Sequence, residues 1–408
     1  WLTPFLQWRM SRIDTNPSNA SGHSVVAAPL PPCPLARLIA HEIRERGGWM
    51  SFERYMELAL YTPGLGYYSG GKRVLGQGPQ DGSDFVTAPE MSPLFGRTVA
   101  RQIEQALEHT DTDQVWEFGA GTGALAEQIL GEIGDRIQRY TIVDLSGTLR
   151  ERQHARIAQA HPALAHKVIW ADELPEEING VIVGNEVLDA IPVHLLAWNG
   201  EVWLERGVTL TSADEERPTF AWAERPLPEG VRPPTDRPDS DFVPGTVVET
   251  HGPAEAFVAT LATRMARGAA FFLDYGFPAE EFYLPQRLGG TLMCHQAHRS
   301  DPDPLDQVGQ KDITTHVNFT GVALAGQEGG LEVLGYTTQA HFLMNCGLLG
   351  LLPAQGEVPT ADDVRATAAV QKLLGEHEMG ELFKVIGFTK GAWFDALGFR
   401  QGDRTHTL

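Results

Sequence analysis

The stretch Val115-Trp116-Glu117-Phe118-Gly119-Ala120-Gly121-Thr122-Gly123 constrains this chain more than any other, because a short apolar run ends in an acid and then in three alternate glycines. Glycine lets the backbone turn sharply between a buried strand and a helix. Without a Cβ it also allows a ligand to lie against the peptide groups. The following Ala124-Leu125-Ala126-Glu127-Gln128-Ile129-Leu130 has helical spacing, so strand, loop and helix come in the order that a nucleotide-cofactor site needs. Beyond the loop the pattern predicts strands over 140–144, 167–171 and 180–185, and a helix over 146–160 with Ser146 as its N-cap. Such alternation implies an α/β, Rossmann-like, doubly wound sheet.

The alternation breaks after residue 192. Apolar runs over 193–198 and 202–208 flank Asn199-Gly200, a two-residue hairpin signal, and residues 211–245 carry seven prolines. A β-rich insertion followed by an exposed loop is expected there. Strands resume over 246–249 and 269–273 with a helix over 253–267 between them, then come a helix over 319–327 and a strand over 331–338. A helical excursion over 341–374 precedes a last strand over 382–388. The expected organisation is a disordered tail (1–34), a helical and lid region (35–100), the first half of the cofactor core (101–192), the insertion (193–245), the second half of the core (246–340), the excursion (341–378), and a last strand with a tail (379–408).

Composition narrows the chemistry. With 53 acids against 32 Lys and Arg the formal charge is -21, and no basic patch interrupts it, which argues against a nucleic-acid partner and favours a cationic acceptor. No apolar run approaches the roughly 20 residues of a membrane span. Three widely spaced cysteines, Cys33, Cys294 and Cys346, fit neither a disulfide framework nor a zinc site, and no metal is expected. They suit a reducing compartment: the cytoplasm of a bacterium, or the mitochondrial matrix of a eukaryote.

The glycine spacing alone serves two cofactors. Gly119-x-Gly121-x-x-Ala124 satisfies the dinucleotide fingerprint, and Asp144, about 20 residues on, could hold a ribose in either case. Glu117 favours the alternative. Glu-x-Gly-x-Gly-x-Gly resembles motif I of S-adenosylmethionine-dependent methyltransferases, whose cofactor has a charged amino-acid end where an acid is useful, whereas beside a pyrophosphate it would repel.

Longer motifs carry a more specific resemblance. These are Phe52-Glu53-Arg54-Tyr55-Met56-Glu57-Leu58-Ala59-Leu60-Tyr61 with Pro63-Gly64-Leu65-Gly66-Tyr67-Tyr68; Asp84-Phe85-Val86-Thr87-Ala88-Pro89-Glu90 with Ser92-Pro93-Leu94-Phe95-Gly96; Asn185-Glu186-Val187-Leu188-Asp189-Ala190-Ile191-Pro192-Val193; Asp274-Tyr275-Gly276; Asp312-Ile313-Thr314-Thr315-His316-Val317-Asn318-Phe319; and Met379-Gly380-Glu381-Leu382-Phe383-Lys384-Val385. On these the chain is identified as a member of the MidA family, related to the mitochondrial complex I assembly methyltransferase. The resemblance implies a seven-stranded methyltransferase sheet closed by an antiparallel pair, S-adenosyl-L-methionine as cofactor, and a protein arginine as acceptor, with a respiratory-complex subunit as a candidate partner. The chain departs from the family in having Asp144 where Glu is common and Val187-Leu188 where aromatics are common. A small-molecule methyltransferase and a non-catalytic assembly factor that keeps the cofactor fold remain alternatives, with a dehydrogenase behind them.

Methyl transfer from a sulfonium is an in-line displacement governed by position and charge, so the contacts should gather at the carboxyl ends of the parallel strands. Cofactor contacts are expected from Glu117, Gly119, Ala120, Gly121 and Gly123 on the first strand, Asp144 and Leu145 on the second, Asp172 and Glu173 on the third, and Asn185 on the fourth. The segment 84–93, with Phe85, Thr87 and Pro89, reads as a lid or wall over the methionine end. Glu186 is the expected orienter of a guanidinium, with Glu249 or Asp189 as a second acid. His316, following Asp312 as a helix N-cap, could line the same cleft.

Overall fold

The computed structural model describes residues 33–70, 86–144, 147–212, 214–228, 230–352 and 360–408. The expected tail therefore lies outside the described residues except at Cys33 and Pro34, where the first described helix, Pro34–Glu45, begins. Phe85, Leu145 and the proposed N-cap Ser146 also lie outside them.

Alternation with a period of two builds the central sheet. Val181 and Val183 of one strand join Phe271 and Leu273 of the next on one face, while Ile182, Ala270 and Phe272 point to the other, and all are buried. The strands are β1 Gln114–Phe118, β2 Arg139–Val143, β3 Val168–Ala171, β4 Ile178–Asn185, β5 Met265–Phe277, β6 Glu332–Thr338 and β7 Phe383–Lys390. Their spatial order is β3-β2-β1-β4-β5-β7-β6, and the short strand Val317–Asn318 pairs with the end of β5. The first five are parallel, while β7 runs antiparallel to both β5 and β6. Helices Pro93–Thr110 and Ala124–Ile133 cover one face and Gly252–Arg264 and Phe319–Glu328 the other. This is the seven-stranded sheet with a closing antiparallel pair that the sequence implied.

A second core stands beside the first. Helices Pro34–Glu45 and Phe52–Tyr61 bury Leu35, Ile39, Ile43, Phe52, Tyr55 and Met56 against Val193, Leu195, Ala197 and Val208 of an accessory sheet. Its strands are Met50–Ser51, His194–Trp198, Trp203–Leu210, Phe220–Pro226 and Val247–Thr250. The Asn199-Gly200 hairpin is present, with Leu195 to Trp198 paired against Arg206 to Trp203.

Three elements depart from expectation. The strand over 246–249 belongs to this accessory sheet, paired with His194–Trp198, and not to the cofactor core. The Pro-rich stretch holds a strand, because the alternate Phe220 and Trp222 pack on Tyr55 and Phe52 with ring centroids 5.8 and 5.3 Å apart. Asp312 opens a strand, Asp312–Thr314, in a three-stranded sheet with Met293–Gln296 and Arg299–Asp301, and the N-cap of the following helix is Asn318, whose side chain accepts from Gly321 N–H.

Phe52 is fully buried where the N-terminal helices meet the accessory sheet. Phe52→Ala is expected to cost about 3–5 kcal/mol in urea unfolding; a loss below about 1 kcal/mol would mean that this second core carries little of the stability.

Candidate active site

The glycine loop uses its glycines in three different ways. Gly119, Gly121 and Gly123 all have left-handed backbone, with φ of 64°, 53° and 84°. A Cβ on Gly119 would meet Val187 Cγ2 at 2.9 Å, and one on Gly123 would meet Gln153 Cα at 3.2 Å, so side chains are excluded by conformation and by space. Ala120 is nearly buried and accepts from Gly123 N–H at 2.8 Å, closing the turn at the start of helix Ala124–Ile133.

Gln153 locks this loop to the second strand. Its amide nitrogen donates to Gly121 O at 2.9 Å and to Asp144 Oδ2 at 2.7 Å, while its oxygen accepts from Trp170 Nε1 at 2.8 Å. Asp144 is thereby fixed at the end of β2 with its carboxylate oriented across the loop, the placement a ribose diol needs. Sequence reasoning missed Gln153, which lies on the expected helix at a position whose fully buried amide no periodicity distinguishes.

Glu117 lies on β1, two residues before the first glycine of the loop. It is buried, and its carboxyl accepts from Tyr140 hydroxyl at 2.7 Å. Burial pushes its pKa up to about 8, against the Tyr140 bond and with help from Asp144. It braces β1 against β2 from within the sheet. Asp172 and Glu173 are exposed after the end of β3, and Asp172 pairs at 2.6 Å with Arg150, which also donates to Asp144 O at 2.9 Å.

The segment from Thr87 to Pro93 packs beside the glycine loop and the helix that follows it. Thr87 caps the short helix Ala88–Met91 through its carbonyl, and Pro89 O accepts from Gln128 Nε2 at 2.7 Å while Gln128 Oε1 takes Gly96 N–H at 2.8 Å. Glu90 accepts from Thr122 hydroxyl and pairs with Arg156 at 2.5 Å. Ala88, the first residue of that helix, lies beside the Glu186 carboxyl and opposes the rise of its pKa.

Glu186 follows β4 directly and has left-handed backbone at φ 54°, a strained conformation for glutamate. Its N–H donates to Leu273 O at 2.9 Å and its Oε1 accepts from Asn185 Nδ2 at 3.0 Å. Asn185 Oδ1 and Asp189 Oδ1 are both buried without a hydrogen-bond partner. Asp274, at the end of β5, accepts from the N–H groups of Val187, Leu188 and Asp189 at 3.1, 2.9 and 3.2 Å. Tyr275 hydroxyl donates to Asp189 Oδ2. Tyr61 and Tyr68 stack at 5.6 Å on the remaining side, with Tyr68 hydroxyl donating to Asp312 Oδ1 at 2.8 Å. Glu186, Asp189, Asp274 and Asp312 thus form an acid cluster framed by tyrosines.

Burial, then the charge of Asp189, raises Glu186 to about 8, and burial raises Asp189 to about 6. Asp274 is pushed up by burial and by Asp189 and Glu186 despite its backbone donors. Glu249 stands apart. Its carboxylate accepts from Thr291 and Leu292 N–H at 2.6 and 2.8 Å, and it is not among the charges acting on Glu186. His316 packs against Tyr275 at 5.1 Å, at the border of the cluster. Tyr61 and Tyr68 lay in family motifs without an assigned role, Asp312 was read only as a helix N-cap, and no pattern in the sequence showed that their distant segments converge.

The left-handed glycines, the oriented Asp144 and the unpartnered Asn185 Oδ1 fit a cofactor with a ribose and a cationic amino-acid end. Gln153→Leu, which strips the donor from Asp144 and from Gly121 O, is expected to weaken S-adenosyl-homocysteine binding about tenfold by calorimetry; unchanged affinity would remove Gln153 from the pocket's framework.

Comparison with known proteins agrees with this geometry. A family profile for S-adenosyl-L-methionine-dependent methyltransferases matches residues 98–337, more than half of the chain. A crystal structure from Burkholderia thailandensis, solved with S-adenosyl-homocysteine bound, superposes with a TM-score of 0.84 at 48% identity, covering 92% of this chain and 96% of that one. Protein arginine methyltransferase NDUFAF7 of Danio rerio, a mitochondrial protein, is 27% identical over 74% of this chain and 74% of its own length, and its Mus musculus counterpart is 26% identical over 86% and 83%. The chain belongs to the MidA-like family of S-adenosyl-L-methionine-dependent methyltransferases.

Proposed function

We propose that this methyltransferase acts on an arginine side chain of a protein partner. The observation that carries the reading is the acid cluster at the carboxyl ends of β4 and β5, where Glu186 and Asp189 are held with raised pKa values and Asp189 Oδ1 has no hydrogen-bond partner. A guanidinium supplies what that cluster lacks: a permanent positive charge and a planar fork of N–H donors. The names of the NDUFAF7 relatives support the same acceptor, and a respiratory-complex subunit is the first partner to test.

The cofactor supplies a methyl group on a positively charged sulfur. Glu186 and Asp189 would accept the guanidinium N–H groups and aim one nitrogen, while Tyr61 and Tyr68 wall the cleft and exclude water. Methylation of a guanidinium sheds one proton. A Glu186 carboxylate, ionised by the bound cation and intrinsically basic through burial, is placed to take it.

Glu186→Gln is expected to lower transfer at least about a hundredfold, with S-adenosyl-homocysteine affinity within about twofold of the parent. A large loss of cofactor affinity would mean that Glu186 serves the cofactor instead. In the host, mass spectrometry with and without the gene should reveal lost methylarginine on one or a few proteins; unchanged methylarginine would sink the reading.

The raised pKa values also set a pH dependence. Carboxyls at about 6 and 8 fold more readily when protonated, so their contribution to stability is complete below their unfolded values and is lost as pH rises through 6 and 8. A bound cation reverses this preference. N-acetyl-arginine amide should therefore bind more tightly as pH rises from about 6 to 8 and release protons on binding, as read by calorimetry in buffers of different ionisation enthalpy. A flat profile would contradict it.

A further inference from the structure

Three basic side chains converge on the ring of Phe277, at the end of β5. The Arg287 guanidinium carbon lies 4.6 Å from the ring centroid and Lys384 Nζ 5.7 Å, while the His316 imidazole stacks on it at 5.2 Å with 6° between planes. They come from three separate segments: the loop after helix Ala279–Phe282, the start of β7, and the residue before strand Val317–Asn318. Phe277, Arg287 and His316 are partly exposed, so the group is reachable from solvent.

Arg287 and Lys384 carry the charge here, while burial and those two cations push His316 down to about 4, so that it stands beside them as a neutral imidazole. Lys384 is only 5% exposed, yet its ammonium donates to backbone oxygens of Glu381 and Leu382. Arg287 donates from Nη2 to Glu281 O at 3.3 Å, and its Nε is buried without a partner, as is His316 Nδ1. The acids around them are otherwise engaged or exposed. Glu381 pairs with Arg404 at 2.6 Å, the exposed Glu281 offers Arg287 its carbonyl, and Glu249 accepts two backbone N–H groups at Oε1 while its charge acts on Arg287 from beyond ion-pair distance. Among the described residues no carboxylate is within ion-pair distance of Arg287 or Lys384. Partly desolvated cations with no carboxylate in ion-pair contact gain from an anion that pairs with them directly.

Their location gives the anion a purpose. Tyr275 is the partition: its ring meets His316 at 5.1 Å and Phe383 at 5.2 Å, while its hydroxyl binds Asp189 of the acid cluster. One aromatic ring therefore separates a pocket of acids from a pocket of bases. We propose that Arg287, His316 and Lys384, gathered on Phe277, form an anion subsite that takes a carboxylate of the acceptor chain beside the residue held by Glu186 and Asp189. Arg287 supplies a fork that matches a carboxylate, and Lys384 supplies charge behind it. The proposed pairing with an arginine rests on the preceding functional reading; the anion subsite itself does not.

The test titrates the S-adenosyl-homocysteine complex with three small probes while the His316 ring signals are followed by NMR. N-acetyl-glutamate α-amide carries only a side-chain carboxylate, N-acetyl-glutamine only a terminal one, and N-acetyl-glutamine amide neither. At least one carboxylate probe should shift His316 saturably with an affinity about tenfold or more above the neutral probe, and the one that does identifies the source. Arg287→Gln should abolish the difference and Arg287→Lys should retain part of it, with unchanged cofactor binding reporting an intact fold in both. Equal responses to all three probes, or a response that survives Arg287→Gln, overturn the subsite. A parallel titration with N-acetyl-arginine amide reports on the acid cluster separately, so either reading can fail while the other stands.

Discussion

The Asp274 carboxylate is the contact on which the site depends. Its Oδ2 gathers the N–H groups of Val187, Leu188 and Asp189, and its Oδ1 takes that of Tyr275. Backbone donors that would otherwise point into a dry crevice are satisfied together, and the turn after β4 is bound to the end of β5. That turn forces Glu186 into a left-handed conformation and brings Asp189 under Tyr275. Strain at Glu186 persists because the strand ends on both sides over-determine it. An acid in the position of Asp274 thus does two things at once: it organises the turn that carries Glu186 and Asp189, and it interacts with both electrostatically.

The segment beside the glycine loop is tied to the same region by polar groups. Glu90 reaches Thr122 and Arg156, Gln128 holds both ends of the segment, and Ala88 lies beside Glu186. The glycine loop, the short helix Ala88–Met91 and the acid cluster are therefore neighbours held by side-chain contacts. Such packing suits a reaction that demands alignment of donor and acceptor more than acid-base chemistry.

Local pattern made the core legible. The continuous apolar runs 181–183 and 269–273, the glycines of the loop and the Asn199-Gly200 hairpin each specify their own geometry within a few residues, so strand, turn and helix followed from the chain. What the sequence hid depends on contacts between distant segments. Val247–Thr250 is as apolar as a core strand, and only its pairing with His194–Trp198 assigns it to the accessory sheet. Glu249 on that strand looked like Glu186, an acid near a strand end, but its carboxylate is taken by the backbone of Thr291 and Leu292. Gln153 and Asp312 were invisible for the opposite reason: polar residues on a helix and in a loop look solvated until burial and their partners are known.

A net charge of -21 gave the first hint of a cationic acceptor, but bulk acidity usually serves solubility and does not distinguish one site from another. The discriminating feature is the sorting of charge by sign around Tyr275. Acids crowded on one side raise the pKa values of Glu186 and Asp274, a cost that the proposed guanidinium would remove. Bases crowded around Phe277 bear the mirror-image cost. Two strained pockets of opposite sign, one ring apart, would reward an acceptor that carries both charges in the right order and penalise one that presents them reversed, which is how electrostatics gives specificity beyond what attraction for a lone cation could provide.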